Sequence, residues 1–282
     1  MVRKKINKIL RFLIRILVTG ASKQNFLGQP AIPFILKVTP KSKKFYMVLK
    51  ILALSPHYFI YKDRAERYPK TMSRIQVLEA EFDRNKQDAE AISDKALSLY
   101  LNKDMNVLDY GCGPGWYAKA SSKYCNQVHG VDVSCGAIAC AKEINNAVNI
   151  VYHVLGKEGL SIISPESIDF IYSIAVIQHV TDDIFVSILD NFYKILKPGG
   201  KVLCHVALDI SLNFSPKVTG KKNVLKKKLK DRYNLLMLYR KKDTVIDQIK
   251  NAGFDDVSVV LGKDICDIDV DMAKQHLFIF NK

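Results

Sequence analysis

No two cysteines in this 282-residue chain stand at C-x-x-C spacing, although six are present. Cys112, Cys125, Cys135, Cys140, Cys204 and Cys266 show no metal-ligand spacing with the histidines either. That speaks against a dithiol redox pair or a zinc site, so no metal is expected. Reduced, mostly buried thiols in a cytosolic compartment are expected instead. Long apolar runs are missing too. Within residues 2–18 a basic side chain recurs every three or four positions, and Lys50 and Pro56-His57 spoil the run at Phe45–Leu54. Neither stretch suits a membrane span. Arg11 and Arg15 also break the uninterrupted apolar centre that a cleavable signal peptide needs. No internal repeat or low-complexity linker is visible.

Acidic residues are scarce only at the front. Residues 1–74 hold seventeen Lys and Arg against Asp63 and Glu66, a net of +15, and the remainder is balanced at 26 of each sign. The chain divides accordingly into a basic N-terminal extension, 1–74, and a balanced domain, 75–282. Such segregation suggests an arm that meets a polyanion, lipid headgroups or nucleic acid. Lys4, Lys8, Arg11 and Arg15 share one face of a helix, and Ile6, Ile9, Leu10, Leu13, Ile14 and Leu17 share the other. A basic amphipathic helix of this kind suits an anionic membrane surface. The apolar runs 31–36 and 45–54 fit interfacial pieces or a lid.

From position 107 onward, short apolar runs alternate with helical periodicity. Strands are expected at 107–110, 128–133, 150–154, 168–173, 201–207, 257–261 and 276–280. Helices are expected near 116–124, 135–147, 182–196 and 243–252. This alternation predicts an α/β fold: an open, seven-stranded, mostly parallel sheet flanked by helices. Ligands in such sheets bind beyond the carboxyl ends of the strands. There the chain places Leu108-Asp-Tyr-Gly-Cys-Gly-Pro-Gly115, a side-chain-poor turn between strand and helix. Glycine tolerates positive φ and close approach to its backbone, and a helix start offers N–H groups. A dinucleotide fingerprint would need glycine at 116, and a P-loop would need Gly-Lys-Ser/Thr after the turn; Trp116-Tyr117 excludes both. Asp132, nineteen residues past Gly113, ends the second strand where a carboxylate meets ribose hydroxyls.

The glycine turn with Asp109 and Asp132 resembles the binding loop of class I S-adenosylmethionine-dependent methyltransferases, over about residues 75–282. The resemblance implies a Rossmann-like fold and S-adenosyl-L-methionine as cofactor. It places Gly111, Cys112, Gly113, Gly115 and Asp109 at the methionine end, and Asp132 with the adjoining Val133 at the ribose. Glu158, in Gly156-Lys-Glu-Gly159, would contact the adenine amino group, unless it is only an exposed turn acid. Ser173 opens the stretch that runs under the cofactor sulfur. Glu81–Asn85 would lie near the pocket mouth.

Amino-group methylating members often carry Asp/Asn-Pro-Pro-aromatic where this chain has Ser173-Ile-Ala-Val176. A hydroxyl acceptor is therefore favoured. His179, at the same edge, is the candidate general base for the acceptor hydroxyl, since imidazole titrates near neutrality. The alternative is a structural histidine capping the strand–helix junction. Residues 209–241 form a basic insertion, in which the stretch from Lys217 to Arg232 holds eight Lys and Arg against Asp231. They suit a phosphorylated or membrane-borne acceptor, or a solvated lysine helix. Together these features point to methyl transfer onto a small-molecule, glycan or lipid-linked acceptor at the cytoplasmic face of a membrane, with peripheral contact to anionic lipid. RNA methylation is the rival enzyme reading; it is disfavoured because no RNA-binding module is recognisable. A cofactor-binding scaffold without catalysis is the non-enzyme rival.

Overall fold

The computed structural model describes residues 31–54, 68–69, 71–156, 158–209, 238–265 and 276–282. The amphipathic stretch 2–18, Lys157, Cys266 and residues 210–237 of the basic insertion lie outside them. Seven strands form one sheet: β1 Asn106–Tyr110, β2 Gln127–Asp132, β3 Ile150–Val154, β4 Ile168–Ser173, β5 Leu196–Val206, β6 Asp255–Leu261 and β7 His276–Asn281. Their order is β3-β2-β1-β4-β5-β7-β6. The first five run parallel, and β7 is antiparallel to both β5 and β6. The chain leaves β1 toward one side and β4 lies on the other, so a crevice opens between the carboxyl ends of β1 and β4.

Both faces of the sheet are covered, and the sequence alternation shows how. Val107 and Leu108 are adjacent and fully buried, yet they enter different clusters on opposite faces. The same split separates Leu277 and Ile279 from Phe278 and Phe280 on β7. Helix α6 (Asp182–Ile195) covers one face through Phe185, Ile188, Leu189, Phe192 and Ile195, a helical stripe. Helix α7 (Lys242–Asn251) adds Val245 and Ile249 on that side. On the other face lie α3 (Arg74–Lys95), α4 (Trp116–Ser121) and α5 (Cys135–Ile144). Each buried aromatic or aliphatic side chain contributes roughly 1.5–3 kcal/mol.

Helix α3 starts at a capping box, with the Ser73 hydroxyl accepting from the Gln76 N–H and the Gln76 side chain accepting from the Ser73 N–H. Helix α4 is shorter than its expected 116–124 span, the last three residues tightening into a 3-10 turn at Ser122–Tyr124. Helix α5 ends at Ile144 rather than 147, because Asn145 caps it and turns its side chain to the Pro114 carbonyl. Strand β5 begins five residues before the expected Lys201. Leu196 already pairs with Ile168, and a register shift follows. Gly199 N–H donates to the Lys282 carbonyl, and Lys282 N–H to that of Gly200, so the Lys197–Gly200 turn is drawn into the sheet.

The described part of the front segment folds as α1 (Ala31–Val38) and α2 (Lys41–Leu54). Ile32, Leu36, Val48, Ile51 and Leu52 pack on Cys140 of α5, with Trp116 and Ile144 at the margin. Lys44 pairs with Glu143 at 2.6 Å. Among the described residues no helix is long and apolar enough to cross a membrane.

Candidate active site

The glycine turn leaves β1 with Gly111, Gly113 and Gly115 all at positive φ (77°, 54° and 81°). Its N–H groups do not point outward. Gly111 and Cys112 both donate to the Val131 carbonyl (2.8 and 2.9 Å), Gly115 donates to that of Cys112 (2.9 Å), and Gly113 donates to Asp132 Oδ2 (3.0 Å). At Gly111 and Gly115 the space beside the bare Cα is likewise occupied from within. A Cβ on Gly111 would stand 2.3 Å from Val176 Cγ2, and one on Gly115 would stand 2.3 Å from the Tyr152 hydroxyl. The glycines are thus required first by the protein's own packing. The expected set of outward donors is absent at these four positions. What the turn offers a ligand is shape and the adjacent carboxylates.

Asp132 is half-buried at the end of β2. Its Oδ2 accepts from Gly113 N–H and its Oδ1 from Ser134 N–H at 2.7 Å. Burial pushes it up to about 6, against those two bonds, which pull it down. A carboxylate has about four acceptor sites, so two remain for hydroxyl donors. Val133, next along, is exposed, and Ser134 caps α5 by accepting from Ala137 N–H.

Asp109 lies deeper, under α4. Burial raises it to about 8, opposed by hydrogen bonds from the Tyr172 hydroxyl and the Ala118 N–H, and the charge of Asp132 raises it further. The Ser121 hydroxyl stands 2.9 Å from that of Tyr172. Oδ2 of Asp109 has no partner among the described residues. An orphaned buried carboxylate oxygen is costly unless something positive or donating reaches it. Cys112 turns its thiol inward, where burial holds it well above its usual range. Only its backbone belongs to the rim.

Ser173 ends β4 with its hydroxyl donated to the Tyr110 carbonyl at 3.1 Å, which ties β4 to β1. The chain then passes through Ala175 at φ 60°, unusual for a residue with a Cβ. Its N–H is held by His205 Nδ1 at 3.0 Å, and His205 is completely buried. Val176 covers Gly111, and a 3-10 turn at Ile177–His179 follows, with His179 half-buried. Arg240 fixes that turn. Its guanidinium donates to the carbonyls of Ile177 (2.8 Å) and Val180 (2.6 Å) and to Asp182 Oδ1 (2.7 Å). Where the chain returns from the insertion, Leu238 N–H donates to the Gln178 carbonyl and Arg240 N–H to that of Ala207.

Glu158 is exposed beyond β3, with its carboxylate folded over Gly156. Leu155 N–H donates to the Asp132 carbonyl and brings this stretch beside β2. Glu81 is completely buried in α3 and accepts from Tyr68 (2.8 Å) and Arg84 (3.3 Å). Its neighbour Phe82 stands edge-on to Trp116, ring centres 5.0 Å apart, so the start of α4 is roofed by α3. Among the described residues no three His, Cys, Asp or Glu cluster for a metal. Sequence reasoning missed the roles of Tyr152, Asn145, Val176, His205 and Arg240. All five act through contacts distant in sequence.

A doubly covered, seven-stranded sheet with a glycine turn, two acids and a switch-point crevice defines a Rossmann-like methyltransferase architecture. The structure of an S-adenosylmethionine-dependent methyltransferase from Mesorhizobium loti shares this fold at a TM-score of 0.54. It is 18% identical and covers 70% of this chain and 100% of its own. Residues 82–259 match the family described as "Methyltransferase domain". The chain belongs to that family, and its domain is an S-adenosylmethionine-dependent methyltransferase domain. Among curated relatives, the ubiquinone biosynthesis O-methyltransferase of Pseudomonas entomophila (strain L48) is 31% identical over 111 residues, 39% of this chain and 46% of the relative. That of Pseudomonas putida (strain KT2440) is 29% identical over 140 residues, 47% and 56% respectively. The chain thus spans about half the length of the curated relatives it matches.

Proposed function

We propose that the protein transfers a methyl group to a hydroxyl of a small-molecule, glycan or lipid-linked acceptor at the cytoplasmic face of a membrane. S-adenosylmethionine supplies the methyl on a sulfonium, open to in-line attack. The residues present fit it: Asp132 keeps two acceptor sites for a ribose diol, and the orphaned Asp109 Oδ2 suits a cationic ligand. Asp132, with Val133 beside it, takes the ribose. Glu158 swings from Gly156 to the adenine amino group. The methionine end lies against the turn of Gly111, Cys112, Gly113 and Gly115, and Asp109 beneath it gives up its proton when a cationic group arrives. Ser173 holds the floor between β4 and β1, and His179 takes the acceptor's hydroxyl proton.

The observation that carries this reading is the Ser173–Val180 segment. It is braced by Val176 on Gly111 and by Arg240 on Ile177 and Val180, and its 3-10 turn carries the half-buried His179 just beyond the end of β4. General bases work from such fixed positions. The O-methyltransferase names of the relatives favour a hydroxyl over an amine. The test is transfer of labelled methyl from S-adenosylmethionine into membrane, glycan and RNA fractions, with the full chain. Label in an ether of the lipid or glycan fraction is expected. Label in RNA alone would install the nucleic-acid reading. Cofactor binding without transfer to any fraction would leave a scaffold.

A further inference from the structure

We infer that the corner formed by α1 and α2 is a docking surface for an anionic lipid bilayer. The inference rests on the membrane-face reading above and assigns that contact to particular residues. Helix α1 is apolar on both sides, with Lys37 its one charged residue. Ile32 and Leu36 are buried against α5, yet Phe34 (64% exposed) and Val38 (62%) project from the opposite side, with Ile35 between. On α2, Phe45 and Tyr46 are partly exposed as well. A helix that is apolar on every face ordinarily has both faces covered. Among the described residues, packing on α5 covers only one.

Charge selects the second cover. Residues 31–54 contain Lys37, Lys41, Lys43, Lys44 and Lys50 and no acid. The two acids that reach α2 from neighbouring helices are engaged, Glu143 with Lys44 and Glu79 with the Tyr46 hydroxyl. Lys37, Lys41 and Lys43 are exposed and form no ion pair among the described residues. An apolar patch beside lysines that form no ion pair among the described residues matches a surface that is anionic at its face and apolar beneath. A second copy would set lysines against lysines. Residues 1–30, with seven basic side chains and no acid, carry the same sign. Nucleic acid would satisfy the lysines and leave Phe34 and Val38 in water.

The corner is joined to the cofactor edge. Ile32 Cδ1 stands 2.4 Å from where a Cβ on Gly136 would lie, four residues past Asp132. Phe45 meets Phe82 edge-on at 5.1 Å, and Phe82 meets Trp116, which directly follows Gly115. Docking through α1 and α2 therefore brings the membrane surface to the flank of the crevice, where a lipid-borne acceptor would enter.

The test is co-sedimentation of the full chain with vesicles of phosphatidylcholine alone or mixed with phosphatidylglycerol. Two variants are compared with the parent, Phe34→Ser/Val38→Ser and Lys37→Glu/Lys41→Glu/Lys43→Glu. A chain beginning near Thr19 is run beside them. Melting temperature and S-adenosylhomocysteine affinity are checked first, since these exposed positions should leave both unchanged. The parent should bind the anionic vesicles. Each variant should lose about tenfold or more of that binding, the apolar pair even in high salt. Unchanged vesicle binding in both variants, with loss only in the chain beginning near Thr19, would overturn this surface and keep the membrane reading. No vesicle binding by the parent would overturn both. A parent dimer in gel filtration that either variant splits would assign the corner to a second copy instead.

Discussion

Gly113 donates its N–H to Asp132 Oδ2 at 3.0 Å, so the residue proposed to hold the ribose also fastens the glycine turn. One carboxylate thereby sets loop geometry and ligand contact together, and Ser134 N–H on its other oxygen fixes its plane. Substitutions here should separate the two roles.

Asp132→Ala removes both. Affinity for S-adenosylhomocysteine should weaken by about 1.5–3 kcal/mol through lost hydrogen bonds to a charged group. Asp132→Asn keeps one acceptor oxygen for the turn and should melt closer to the parent than Asp132→Ala does. Calorimetric titration and thermal unfolding of both variants check this. Equal affinity in parent and Ala variant would remove Asp132 from the ribose.

The free protein should lose stability as pH rises from about 4 to about 8 through Asp109. Its carboxyl moves from 3.8 to about 8 on burial, so the folded state binds the extra proton across that window. A raised carboxyl contributes stability below its unfolded value, and that contribution is lost as pH climbs through the folded one. Asp109→Asn should flatten this part of the melting profile. The difference between the two profiles, measured by thermal unfolding from pH 4 to 9, isolates Asp109 from the histidines. A parallel difference across the range would refute the assignment.

S-adenosylhomocysteine binding should weaken as pH falls through about 6, where Asp132 becomes protonated and stops accepting two hydroxyl donors. The step should vanish in Asp132→Asn. Titration calorimetry between pH 5 and 8 reads it directly.

His179→Ala should lower turnover by roughly a hundredfold or more while cofactor affinity stays near the parent's. A folded variant turning over at the parent rate would make His179 structural. Arg240→Lys gives a companion measurement. Lysine keeps the charge but cannot reach Asp182 and the carbonyls of Ile177 and Val180 in three fixed directions. Turnover should fall with cofactor affinity again spared.

Gly115→Ala should destabilise more than Gly159→Ala. Both positions have positive φ, costing roughly 1–2 kcal/mol for a residue with a Cβ. At 115 the new Cβ also meets the Tyr152 hydroxyl at 2.3 Å, whereas at 159 nothing lies within 4 Å. Comparing the two melting temperatures tests whether Tyr152 is what makes the third glycine necessary.

The strands and the site edge were legible because their signals are local. Val107 to Tyr110, Val128 to Val133 and Ile150 to Val154 alternate or run apolar as buried parallel strands do, and glycines mark the turn because positive φ suits few other residues. Asp132 could be placed by counting, since a strand–helix–strand unit fixes its own length. Three boundaries moved for reasons that counting does not reach. Asn145 ended α5 by turning to Pro114, Lys282 drew Gly199 and Gly200 into β5, and the last turn of α4 tightened to a 3-10 turn.

Sequence alone therefore determined the α/β class, the order of its elements, the sheet edge that carries the glycine turn and Asp132, and the segregation of positive charge at the front. These follow from periodicity, glycine's conformational range and composition, all properties of short windows. Tertiary structure decided that the glycine turn spends its N–H groups internally, that Asp109 lies beneath α4, and that Arg240 braces the turn carrying His179 from 61 residues away. It also decided which face of α1 packs on α5. Each of these depends on which side chain arrives from a distant part of the chain, and packing, unlike periodicity, has no local code.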